Sequence, residues 1–195
     1  MLVKTSSLAH VIATPEMLFD DGLPHIAFAG RSNIGKSSLI NALLKRRKLA
    51  FTSSTPGKTR KIYYFLVNAS FYFVDLPGYG YARISRGERA YFKVLVERYL
   101  EEGGNMRACV LLLDPKRPVG QEEHDFLNYL DARKVPAIVV FTRGDRVKSS
   151  KRYKLLRTRK EELAGDAREI HFVSARSREG VDLLWKSLGK KLGGE

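Results

Sequence analysis

Residues 30–37 read Gly30-Arg31-Ser32-Asn33-Ile34-Gly35-Lys36-Ser37, a G-x-x-x-x-G-K-S pattern. Its chemistry is the grip of a polyphosphate. The two glycines let successive backbone N–H groups turn toward one anion, and the start of a helix adds partial positive charge at the same spot. Lys36 is expected on the outer phosphates and the Ser37 hydroxyl on Mg²⁺, with Ser38 closing the cradle. The apolar run 25–29 precedes the loop and the helix-like run 38–44 follows it, which is the strand–loop–helix context this chemistry requires.

Three further groups sit at the ends of apolar runs. Residues 71–74 lead into Asp75-Leu76-Pro77-Gly78. A carboxylate there holds Mg²⁺ through water, and the Gly78 N–H can contact a terminal phosphate. Residues 136–141 lead into Thr142-Arg143-Gly144-Asp145. Asp145 can accept two hydrogen bonds from guanine N1–H and the N2 amino group, a pair of donors that adenine lacks. The last apolar run ends in Ser174-Ala175-Arg176, where the Ala175 N–H can bond the guanine O6. Between the first two motifs lies Thr55-Pro56-Gly57-Lys58-Thr59-Arg60-Lys61. A loop ordering around a γ-phosphate needs an oxygen for the metal, and Thr59, ahead of Thr55, is the expected ligand.

Elements must bring these pieces together. Strands are expected at 25–30, 61–67, 70–75, 107–113, 136–141 and 169–174, and helices at 88–101, 122–132, 150–163 and 181–191. Asn68-Ala69 reads as a hairpin turn. Alternation of strands and helices predicts a mainly parallel sheet covered on both faces. The expected fold is α/β, a three-layer α/β/α sandwich of the P-loop NTPase type. Its sheet is expected to have six strands, with one antiparallel strand at an edge. Residues 1–195 read as a single GTP-binding domain, with 1–24 as a lead-in of weak strand or helix character.

The net charge of +14 calls for a polyanionic partner. Residues 45–61 carry seven Lys/Arg and no acid, and residues 143–160 carry nine against Asp145 alone. Such clustering concentrates potential, so RNA is the expected partner. The basic face is expected from Lys45, Arg46, Arg47 and Lys48 together with Lys151, Arg152, Lys154, Arg157, Arg159 and Lys160. No apolar run reaches membrane-spanning length, the opening residues lack a signal-peptide core, and Cys109 is the only cysteine. These features point to a cytoplasmic protein without membrane attachment. His10, His25, His124 and His171 are scattered and read as structural, and no coiled-coil heptads point beyond a monomer.

Together these residues resemble a translation-factor-class GTPase, in the same broad class as TrmE, Era and septins, and more narrowly the EngB (YihA/YsxC) group of bacterial ribosome-assembly GTPases. The resemblance runs from about Phe19 onward. It rests on residues 30–41, on 55–60, and on Asp75-Leu76-Pro77-Gly78-Tyr79-Gly80-Tyr81-Ala82. It implies GTP and GDP binding with Mg²⁺, held by Ser37, Thr59 and (through water) Asp75. It also implies a role in maturing the large ribosomal subunit and in normal septation, with that subunit or its precursor and ribosomal RNA as partners. One departure stands out: Arg143 occupies a position where the family has Lys, whose stem packs over the purine. Arg can stack its plane there instead.

The catalytic set is expected to be Lys36, Thr59 and Asn33. Tyr79 follows the D-x-x-G motif where Ras-like enzymes carry a water-positioning Gln, so turnover is expected to be slow. Asn33 is a candidate K⁺ ligand, by analogy with related GTPases. Two alternatives remain open: a nucleotide-sensing RNA- or ribosome-binding module with negligible turnover, and an ATP-dependent enzyme, against which Asp145 and Ser174-Ala175 argue.

Overall fold

The computed structural model describes residues 2–50, 61–79, 86–163 and 169–193. The strands are β1 (Ser6–Ile12), β2 (His25–Gly30), β3 (Ile62–Val67), β4 (Phe71–Asp75), β5 (Met106–Leu113), β6 (Ala137–Phe141) and β7 (Glu169–Phe172). The helices are α1 (Lys36–Leu43), α2 (Arg86–Glu102), α3 (Gln121–Ala132), α4 (Ser149–Glu162) and α5 (Val181–Lys191). All strands join one sheet in the order β1-β3-β4-β2-β5-β6-β7. From β4 through β7 the neighbours are parallel, whereas β3 is antiparallel to both β4 and β1.

The three-layer α/β/α fold is as expected, but the sheet has seven strands, not six. The lead-in supplies the extra one, so the antiparallel strand β3 lies second from the edge beneath β1. The sequence hides β1 because its burial alternates poorly and its register shifts between Leu8 and His10. The turn of the β3–β4 hairpin holds the stretch leading into it. Asn68 and Ala69 both adopt φ of 52°. The Asn68 Oδ1 accepts from the N–H groups of Lys4 (2.7 Å) and Thr5 (3.1 Å), while its Nδ2 donates to the Leu2 carbonyl (2.9 Å).

Strand alternation sends side chains to two cores. On one face Ile26, Phe28, Phe73, Val110, Leu112 and Val140 pack with Leu39, Ile40 and Leu43 of α1 and Leu184, Trp185 and Leu188 of α5. On the other, Ala27, Tyr64, Val74, Leu111 and Phe141 pack with Leu95 and Tyr99 of α2 and Leu127 and Leu130 of α3. Cys109 is fully buried in the second core, and burial pushes its thiol up to about 12; it is an inert packing residue. The two layers fix the carboxyl ends of β2, β4, β6 and β7 along one rim. In open α/β sheets that rim is where ligands bind.

Candidate nucleotide site

The phosphate loop leaves β2 at Gly30, where a Cβ would stand 2.9 Å from the Leu112 carbonyl; only glycine lets the chain pass β5 so closely. It enters α1 through Gly35, at φ 108°, a conformation that L side chains rarely adopt. Three contacts brace the loop between these points. The Thr142 hydroxyl donates to the Ile34 carbonyl at 2.9 Å. The Arg143 guanidinium donates to the Asn33 carbonyl. The Ser32 N–H donates to the Tyr79 carbonyl at 3.0 Å. The end of β6 is thereby tied to the loop that follows β2.

At the head of α1, Lys36 and Asp75 form a buried ion pair. The Ser37 hydroxyl lies 3.2 Å from the other Asp75 oxygen. Leu76, Pro77 and Gly78 continue buried from β4. A Cβ on Gly78 would meet the Ser32 backbone at 3.0 Å, so the D-x-x-G turn lies directly against the phosphate loop. The Ser32 hydroxyl is buried with no hydrogen-bond partner among the described residues. A buried, unpartnered polar group is costly, and this one sits where phosphate oxygens would satisfy it. The Ser37 hydroxyl and Asp75 carboxylate are hard oxygen donors of the kind that suit Mg²⁺. The residues present therefore fit both a polyphosphate and its metal.

At the other end, Ser174 donates to Asp145 Oδ1 at 2.7 Å and in turn accepts from the Ser177 N–H at 3.1 Å. The Gly144 N–H bonds the Val173 carbonyl at 3.3 Å. The Ser174 hydrogen bond holds the exposed Asp145 carboxyl below its usual range, which favours its ionised form. Arg143 adopts φ 57° and reaches back to Asn33, with Asp114 3.8 Å away. This tether of Arg143 to the loop is one that the sequence did not indicate. Ala175 is half-buried and Arg176 exposed beside Ser174.

These facts yield a pH expectation. Ser174→Ala removes the donor that favours ionised Asp145, raising its folded pKa toward the ordinary carboxylate value. In titrations of fluorescent GDP at stepped pH, the variant's affinity should fall away at a higher pH than that of the unmodified protein. The nucleotide's own phosphate titration, near pH 6, is common to both and cancels in the comparison.

Thr55, Gly57, Lys58, Thr59 and Arg60 lie outside the described residues, as do residues 80–85. Lys61 is exposed just before β3, and Asn33 is exposed at φ 60°. Part of the expected basic face is neutralised from within. Arg159 is buried against Glu162 and the Pro115 carbonyl, Arg152 pairs with Glu179, and Arg157 pairs with Glu161. Helix α4 therefore offers less free charge than its composition promised.

One network had no local sequence signal. Arg31 binds Glu123 at 2.9 Å and Glu122 at 2.7 Å, and the Tyr79 hydroxyl donates to the same Glu123 oxygen at 3.3 Å. Burial pushes the Glu123 carboxyl up, but the hydrogen bond and charge of Arg31 outweigh it and the net shift is downward. Burial, with Glu123 beside it, holds the Tyr79 hydroxyl protonated. The phosphate loop, the D-x-x-G turn and the start of α3 are locked to one another through these groups.

Residues 25–143 match the family described as 50S ribosome-binding GTPases. The chain is 41% identical over 185 residues to a GTP-binding protein EngB of Citrifermentans bemidjiense, covering 95% of this chain and 86% of that one. It is 39% identical to the EngB protein of Geobacillus kaustophilus, covering 96% and 97%. A crystal structure of an EngB GTP-binding protein superposes with a TM-score of 0.69 at 24% identity, over 86% of this chain and 98% of that one. Aquifex aeolicus Era bound to GDP and aluminium fluoride superposes at 0.68, over 86% and 56%; at 23% identity, that likeness concerns the fold. A phosphate-loop motif joined to an Asp–Lys–Ser cluster accords with these matches, and the chain belongs to the EngB family of GTP-binding GTPases.

Proposed function

We propose that this GTPase is a slow, Mg²⁺-dependent switch that assists assembly of the large ribosomal subunit and through it supports normal septation. It would act in the cytoplasm as a monomer comprising one GTP-binding domain. The observation that carries the reading is the convergence of Lys36, Ser37 and Asp75 beneath a loop that Gly78 touches. A γ-phosphate placed there would report its presence to the segment after Gly78. The family's description as 50S ribosome-binding and the net charge of +14 support the partner. No described helix is long and apolar enough to cross a membrane.

Catalysis in this class is positioning plus charge stabilisation. The N–H groups of residues 36–38, which open α1 without intrahelical partners, would turn to the phosphates. The Lys36 ammonium would exchange Asp75 for phosphate oxygens, and Ser37, Thr59 and, through water, Asp75 would hold magnesium. Magnesium, when bound, offsets the charge that develops on the transferred phosphoryl group. The Gly78 N–H fixes the γ-phosphate for attack by water. Asp145 selects guanine, supported by the Ala175 N–H, and Arg143 keeps the base loop in register with the phosphate loop.

Tyr79 carries no amide to orient the attacking water, and its hydroxyl is engaged by Glu123; slow intrinsic turnover follows. The same observation favours a second reading, a nucleotide sensor with negligible turnover. Single-turnover hydrolysis with and without 50S particles separates the two. Asn33, on the outer curve of the loop, is the proposed K⁺ ligand, and rates that are equal in K⁺ and Na⁺ would remove it. The main reading is tested by co-sedimentation with 50S particles. More protein should pellet with a non-hydrolysable GTP analogue than with GDP, and equal pelleting in both states would contradict a switch.

A further inference from the structure

A cleft of about 1090 Å³ runs outward from the nucleotide site between the end of α1 and the loop entering α5. Ser38 and Ala175, both assigned above to the nucleotide, line its walls. Beyond them it is walled by Lys45, Arg46, Arg47, Arg176 and Arg178, with Asp182 the one acid among its lining residues. These cations come from segments about 130 residues apart in the chain.

The cleft is built, not incidental. Lys45 and Arg178 are held at φ 53° and 63°, a conformation costly for residues other than glycine and retained where surrounding contacts enforce it. Both bind the same acceptor at the end of α1. The Lys45 N–H and the Arg178 guanidinium each donate to the Ala42 carbonyl, at 3.3 and 3.1 Å. The Arg46 N–H bonds the Asn41 carbonyl at 2.9 Å, and its guanidinium bonds the Ser6 hydroxyl at 3.0 Å. The buried Asn41 side chain clamps Ala50 through two 2.8 Å bonds, closing the loop that carries Lys45, Arg46 and Arg47.

We propose that this cleft is the RNA-contacting groove of the protein and takes a phosphodiester backbone, recognised by charge and shape rather than by base sequence. Arginine forks match phosphate geometry. Concavity disfavours a flat lipid surface, and the lining holds no apolar side chain larger than Ala42 and Ala175 against which a protein partner could seat large anchors. The proposal rests on the reading that the protein acts on ribosomal particles, and it moves the RNA contact from the face of α4 to this groove. Because Ser38 and Ala175 belong to both sites, RNA and guanine nucleotide share a wall, and each must change the other's affinity by the same factor if either shifts it.

The test is fluorescence anisotropy of a labelled mixed-sequence RNA hairpin across a KCl series, with fluorescent GTP uptake measured on the same preparations. Lys45→Asn with Arg47→Gln removes two groove charges, and asparagine tolerates the left-handed backbone at position 45. Affinity should drop at least about tenfold, and the log–log salt slope should flatten by about 1.4–1.8, from two phosphates at about 0.7–0.9 each. GTP uptake should stay normal. Lys151→Gln with Lys154→Gln removes the same charge from α4 and should shift the slope by less than half as much. Equal effects of the two variants, or an unchanged groove variant, overturn the groove. A hairpin that fails to bind the unmodified protein, while GTP-dependent pelleting with 50S particles persists, also overturns the groove but leaves the functional reading standing. Groove-dependent hairpin binding without such pelleting supports the groove and defeats that reading.

Discussion

Replacing Lys36 by alanine is expected to lower kcat/KM for GTP by about 10²–10³-fold, the loss typical of one preorganised charge-stabilising donor. The ammonium is buried and already aimed at the Asp75 carboxylate. It is therefore in place before phosphates arrive, and no other described cation reaches the same point. The variant should also melt at a lower temperature, because Asp75 is left as a buried charge without its partner. Lys36→Arg separates the two effects. It keeps a positive charge beside Asp75 and so most of the stability, while its planar fork cannot take the place of a point charge at the head of α1. Steady-state phosphate release and thermal melts on both variants check this. Normal turnover in Lys36→Ala would remove the phosphate loop from the mechanism.

The second large effect is expected at the opposite end of the site. Asp145→Asn exchanges a two-acceptor carboxylate for an amide with one acceptor and one donor. Guanine presents two donors to that edge, so one would face the amide N–H₂. GTP affinity should fall about a hundredfold, the scale of losing a hydrogen bond to a charged group, worth about 1.5–3 kcal/mol. Xanthine carries a carbonyl where guanine has its amino group, and so matches the amide. The variant should therefore prefer XTP to GTP. Competition against fluorescent GDP measures both, and an unchanged preference for GTP would place the base elsewhere. The Ser174 hydroxyl, which fixes Asp145 at 2.7 Å, can still accept from the new amide, so the loop should hold its shape.

Much of this site could be read from the chain because its parts are contiguous. The glycines at 30 and 35, the Lys36-Ser37 pair, Asp75 and Asp145 lie within short motifs at strand ends, and the sheet brings those ends to one rim. The strands and helices were legible from apolar runs long enough to bury. β1 was not, because an edge strand with irregular alternation has little pattern to show. The Arg31–Glu123–Tyr79 lock was hidden for a different reason. Its members stand 44 and 92 residues apart, and nothing local distinguishes Glu123 from a solvated helix acid. The arginines of α4 misled in the opposite direction. Composition counts charges but not their partners, and Arg152, Arg157 and Arg159 each have one nearby. The groove beside Ala42 likewise appears only when α1 and the entry to α5 are placed together.

The lock also engages Tyr79 from two sides. Tyr79 occupies the position where a water-positioning group would act, yet its carbonyl pairs with Ser32 and its hydroxyl with Glu123. Arg31 and Glu123 thereby tie the phosphate loop to the D-x-x-G turn.

The most direct measurement is calorimetric titration of the purified protein with GTP and, separately, ATP in the presence of Mg²⁺. The expected result is saturable uptake of one GTP per chain with no comparable heat from ATP. Absence of GTP uptake, or equal uptake of ATP, would contradict a phosphate-gripping loop paired with an acid that chooses the base.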